Sequence, residues 1–88
     1  EVDEVLLLCA GVRAAAAVAV PDSYRGEVLW AYVEGAASRD ALVRHCEDRL
    51  VRYKRPVEWR FVDRLPRTGV GKVDKAELRR MARAELAG

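Results

Sequence analysis

Residues 13–20 read RAAAAVAV, and the fold turns on whether this stretch is helix or strand. Four consecutive alanines favour a helix by propensity. The run is short, however, ends on Val18 and Val20, and meets Pro21-Asp22. A short apolar run bounded by breakers and finished by β-branched residues reads as a buried strand. Residues 28–33, VLWAYV, have apolar side chains on both faces of a strand, as in the centre of a sheet. PDSYRGE between them reads as a turn or loop.

Outward from this pair, the periods change. Val2, Val5, Leu6 and Cys9 follow i, i+3, i+4, i+7 spacing, so 1–9 reads as an amphipathic helix with Gly11 as terminator. Ser38 is an N-cap for a helix over about 39–51 with Leu42, Val43, Cys46 and Leu50 inward. RYKRP closes that helix, because Pro56 disfavours helical geometry at Arg55. VEWRFV at 57–62 alternates, which puts Val57, Trp59 and Phe61 on one face. Asp74 and Glu77 form an Asx-type capping box for a helix over about 75–86, with Leu78, Met81, Ala82 and Leu86 as its apolar stripe. The expected architecture is α+β: a small three-stranded sheet packed with helices in the order α-β-β-α-β-α.

Eighty-eight residues are one domain, too few for two separate cores. Composition is half apolar with a net charge of +2, which gives no strong field for nucleic acid or an anionic membrane. No apolar run approaches the roughly 20 residues of a membrane span, and no signal-peptide pattern opens the chain. Cys9 and Cys46 are isolated and read as buried reduced thiols of a cytoplasmic protein. One histidine and two scattered cysteines make no metal constellation.

The stretch with chemical promise is LPRTGVGKVDK at 65–75. It is not a P-loop, since Pro66 holds the first glycine position and Val73 the hydroxyl position. It is not a dinucleotide loop either, because Asp74 holds the third glycine position. What remains is Lys72 flanked by glycines ahead of a capped helix. Gly69 and Gly71 can take positive φ and bring the backbone close to another molecule. With no base, nucleophile or metal ligand nearby, the chemical role open to Lys72 is electrostatic; the plainer one is a solvated lysine on a turn. Arginines number thirteen and lysines three, namely Lys54, Lys72 and Lys75. A retained lysine in such a chain points to a site that needs a compact, single-point charge.

LPRTGVGKVDKAEL resembles the last core motif of the acyl-adenylate-forming enzymes: acyl-CoA synthetases, peptide-synthetase adenylation domains and beetle luciferases. Three upstream stretches agree in order and spacing: EVDEVLL, VAVPDSYRGEVLWAYV and RYKRPVEWRFVDRLP. The resemblance spans essentially all of 1–88. It implies a C-terminal lid subdomain whose large N-terminal domain and hinge lie outside this sequence, so that the 88 residues alone are inactive. It implies an ATP-dependent, AMP-forming acid–CoA ligase in which Lys72 reaches the substrate carboxylate and α-phosphate during adenylation. Thr68, Gly69 and Gly71 would form the nucleotide-approach loop. The subdomain would then rotate to help build the CoA site, with Tyr24, Tyr53 and Arg55 at the nucleotide part of CoA. ATP with magnesium would be held mainly by the large domain, with no metal ligand on this chain. Val57 departs from the basic residue common after the family's proline, which leaves Tyr53 and Arg55 open to a plain reading as helix-end packing. An alternative acceptor is a carrier protein, as in peptide synthetases. A remote alternative is a non-catalytic module using Arg79, Arg80 and Arg83, although Glu77 and Glu85 interrupt that basic face.

Overall fold

A computed structural model describes all of residues 1–88. RAAAAVAV is a strand, within β1 (Val12–Asp22). It pairs antiparallel with β2 (Gly26–Gly35), with Ala17 opposite Ala31 and Val20 opposite Val28. The strand β3 (Glu58–Phe61) pairs parallel with β2, with Trp30 opposite Glu58 and Val33 opposite Phe61. The sheet order β1-β2-β3 places VLWAYV in the centre, as its two apolar faces require.

Helices cover both faces. Ala15 and Ala17 pack with Leu6 of α1 (Val2–Leu7) and with Leu42 and Cys46 of α2 (Arg39–Arg49). The alternate residues Ala14, Ala16, Val18 and Val20 pack with Leu78 and Ala82 of α3 (Lys75–Ala87). This explains how alanines come to lie in a strand. A position buried between two helical layers rewards a small side chain that lets both layers approach, and tertiary burial outweighs the alanines' helix propensity. The observed order is α-β-β-α-β-α.

Several boundaries differ from expectation. PDSYRGE is mostly strand, because Pro21 and Asp22 extend β1 while Gly26 and Glu27 begin β2. The turn shrinks to Ser23–Arg25, closed by Asp22 Oδ2, which accepts from Tyr24 N at 3.1 Å and Arg25 N at 2.8 Å. Pro21 is tolerated because β1 is an outer strand. The first helix stops at Leu7, and Cys9 reaches the core from the bend that follows it. There Gly11 takes φ 89°, and a Cβ on it would meet Ala37 N at 2.9 Å, so only glycine fits.

Ser38 caps α2 through Oγ, which accepts from Ala41 N. That helix ends at Arg49 rather than at about 51, and Arg52–Lys54 forms a separate 3-10 turn. Trp59 alone of the 57–61 face is buried; Val57 and Phe61 remain exposed because β3 is a four-residue outer strand. Leu86 is likewise exposed, at the last turn of α3. Asp74 caps α3 by accepting from Glu77 N at 3.1 Å. The capping box is half made, since the Glu77 carboxylate binds Arg80 and the Asp74 N–H donates to Pro66 O.

Cys9 and Cys46 are free thiols in the same core cluster. Burial pushes the Cys46 thiol up, and Cys9 adds to it. No helix is long and apolar enough to cross a membrane.

Candidate functional site

Lys72 lies on a closed hairpin. Arg67 and Val73 form an antiparallel bridge, Thr68 N donates to Lys72 O at 2.8 Å, and Gly71 N donates to Thr68 O at 2.9 Å. Gly71 has φ 86° while Gly69 stays outside the positive-φ region. A three-residue loop ending in a left-handed glycine is the G1-bulge hairpin. Of the two glycines that can take positive φ, the turn geometry uses one, Gly71. Gly69 has open space around its Cα. Arg67 braces the loop through Nη1, which donates to Gly71 O at 3.1 Å.

The three lysines separate by their partners. Lys54 pairs with Glu1, and Lys75 pairs with Asp3. Asp3 also accepts from Ala17 N at 2.9 Å, which covers the outer edge of β1. Lys72 is exposed and pairs with no carboxylate.

Sequence reasoning missed the support beneath this hairpin. Glu34, on β2, is the one charged residue that is buried. Its Oε2 accepts from Leu65 N at 2.7 Å and its Oε1 from Arg13 Nε at 2.9 Å. The Leu65 N–H, and then Arg13, hold the Glu34 carboxyl below the usual carboxylate range. Glu34 therefore stays ionised down to lower pH than an exposed glutamate. Its only signal in the sequence is an acid ending an apolar strand, which reads equally as the exposed end of that strand.

The other candidate residues gather elsewhere. Tyr53 and Arg55 line a cleft of about 560 Å³ with Arg25, Arg52, Glu27, Val28 and Val57. This cleft flanks the starts of β2 and β3, whereas the lysine hairpin is tied through Leu65 to Glu34 near the end of β2. Tyr53 is 80% exposed. Arg55 is half-buried and donates from Nε to Leu50 O at 2.9 Å and from Nη2 to Glu47 O at 3.2 Å. Tyr24, 97% exposed on the β1–β2 turn, does not line the cleft. Lys72, Thr68, Gly69 and Gly71 are thus brought together, and so are Tyr53 and Arg55, while Tyr24 joins neither group.

No three His, Cys, Asp or Glu side chains converge. Of the basic helix face, Arg80 is bound by Glu77, and Glu85 binds Arg60.

A mixed sheet sandwiched between α1/α2 and α3, with a lysine hairpin leading into α3, defines a small α+β domain. The family model of the AMP-binding enzyme C-terminal domain matches residues 1–72, and the chain belongs to this family. It is 49% identical over 82 residues to the sulfoacetate–CoA ligase of Cupriavidus necator, which covers 89% of this chain and 16% of that protein. A fatty acyl CoA synthetase from Mycobacterium tuberculosis superposes with a TM-score of 0.89 at 33% identity, over 97% of this chain and 18% of that one. The o-succinylbenzoate CoA synthetase of Bacillus subtilis, solved with its acyl-adenylate intermediate, gives 0.84 at 34% identity, over 89% and 16%. The chain spans no more than 18% of these relatives.

Proposed function

We propose that this domain is the mobile C-terminal lid of an ATP-dependent acyl-CoA ligase, and that it brings Lys72 to a nucleotide held by a larger N-terminal domain of the same protein. The reaction is carboxylate plus ATP to acyl-adenylate and pyrophosphate. Attack of the CoA thiol on the acyl carbon, with AMP leaving, then gives the thioester. The first step joins two anions, and a cation placed at the carboxylate and α-phosphate oxygens lowers that repulsion most as charge builds. One observation carries the assignment: Lys72 stands exposed and unpaired on a hairpin that holds its own shape, while Lys54 and Lys75 are both engaged by carboxylates. A point charge on a flexible stem suits this task better than the broad guanidinium fork.

The cleft with Tyr53 and Arg55 supports CoA as acceptor, with the lid turning to present it once adenylation is complete. Arg25, Arg52 and Arg55 against Glu27 make it cationic, fitting the phosphates of CoA. Magnesium would belong with ATP in the large domain. In the complete ligase, Lys72→Ala should lower adenylation by on the order of 10²–10³. Thioester formation from supplied acyl-adenylate should be largely kept. Equal losses in both half-reactions would sink the two-state lid. Transfer to a phosphopantetheine carrier protein but not to CoA would replace the ligase by a peptide-synthetase subdomain.

A further inference from the structure

We infer that Glu34, with Arg13 behind it, is a positioning residue for Lys72, fixing the root of the lysine hairpin and so the place where the ammonium is presented; this rests on the role proposed for Lys72. The hairpin closes on itself through the Arg67–Val73 bridge and the Thr68–Lys72 bond. It therefore moves as a unit, and its direction is set where it joins the core. The N-terminal junction is Leu65, 1% exposed, whose N–H reaches Glu34 at 2.7 Å. Arg13 closes the arrangement by donating from Nε to Glu34 Oε1 and from Nη2 to Asp63 O at 3.2 Å. Two residues of the connection from β3, Asp63 and Leu65, are thus held by one ion pair whose carboxylate is buried and whose guanidinium is largely exposed.

The strand itself is built around this pair. Val12 lies opposite Gly35 and Ala14 opposite Glu34, so Arg13 is an extra residue, a β-bulge. Bulges re-aim side chains, and this one belongs to the arginine that meets Glu34. If packing alone were needed, an apolar residue at position 34 would serve as well, since burying a carboxylate costs desolvation that an apolar side chain does not. What an apolar side chain cannot do is fix a backbone N–H and a guanidinium in one geometry. Leu65 lies seven residues before Lys72, so a small tilt at the root becomes a larger displacement of the ammonium. A misplacement of about 1 Å in a reacting group commonly costs on the order of 100-fold.

The test uses the complete ligase carrying Arg13→Met, Glu34→Gln or Glu34→Leu, each also combined with Lys72→Ala. Arg13 keeps 65% of its side chain exposed, so its replacement leaves the core intact even if Glu34→Leu fails to fold. Adenylation kcat should fall about 10- to 100-fold in the single variants, with KM for ATP nearly unchanged. Thioester formation from supplied acyl-adenylate should hold. In the Lys72→Ala background the further loss should vanish, because the anchor acts only through that lysine. Equal loss in both half-reactions, or full additivity with Lys72→Ala, overturns the inference. Wild-type adenylation in the Arg13 and Glu34 variants, with Lys72→Ala still crippled, removes the anchor alone. An active Lys72→Ala enzyme removes the lysine reading and the anchor together.

Discussion

At the hairpin, Lys72 is exposed and pairs with no acid, while the backbone around it is closed by its own hydrogen bonds. At the cleft, Arg55 is half-buried and spends two nitrogens on the carbonyls that end α2. The first arrangement makes the scaffold stiff and leaves the charge free. The second uses part of the charge to build the scaffold. An unpaired surface lysine is ordinary by itself; the contrast with Lys54, Lys75 and Arg55 gives it meaning. Replacing the hairpin charge should therefore change chemistry without changing stability, whereas replacing the cleft arginine should change both.

The largest effect is expected at Lys72. Lys72→Ala should unfold at the wild-type temperature, because the exposed side chain makes no ion pair or hydrogen bond to lose. Its adenylation rate should nevertheless fall by on the order of 10²–10³. Lys72→Arg sharpens the comparison: it keeps the charge but not the compact ammonium, so recovery of less than about a tenth of the wild-type rate is expected in single-turnover assays. Full recovery would show that charge alone, and not its placement, is what the hairpin supplies.

Much of the fold was legible because pattern and burial agree. VLWAYV could only be central, and Ser38 and Asp74 both cap the helices they precede. RAAAAVAV was legible only through its ends, Val18, Val20 and Pro21, since its alanines argue for the wrong element. The parallel pairing of β3 was not readable, because alternation fixes a strand's faces and not its neighbour. The site was legible in part. Lys72 stood out by residue type and by resemblance, but the G1-bulge geometry depends on a bridge between Arg67 and Val73 that no local motif announces. Glu34 was invisible for a deeper reason. Its partners, Arg13 and Leu65, are 21 and 31 residues away, and the bulge aligning them is a property of the paired strands.

Arg55 should give an intermediate, mixed effect. Arg55→Met keeps the stem but removes the donors to Leu50 O and Glu47 O, at a cost of about 1–2 kcal/mol in stability. Thermal unfolding would read this, while adenylation at a temperature below the transition stays unchanged. If the cleft binds CoA, KM for CoA should rise in the same variant. Unaltered stability would mean that the helix-end bonds contribute nothing, and the cleft arginine would then resemble Lys72 after all.

The finest comparison is between two exposed tyrosines. Tyr53 lines the cleft beside Arg55, and Tyr24, next to the cleft residue Arg25 on the β1–β2 turn, does not line it, yet both side chains are largely in solvent. Neither replacement by alanine should affect folding, since neither aromatic ring is buried in the core. An aromatic that stacks on a nucleotide base typically contributes about 1–3 kcal/mol, so Tyr53→Ala should weaken CoA binding by roughly that amount. Tyr24→Ala should stay within about twofold of wild type, the scale of ordinary surface substitutions. Titration of the complete ligase with CoA, in the presence of a non-reactive acyl-adenylate mimic, separates the two. A loss at Tyr24 as large as that at Tyr53 would mean that the nucleotide reaches beyond Arg25 to the tip of the β1–β2 turn. The Ser23–Arg25 backbone, held by Asp22, would then be part of the acceptor site.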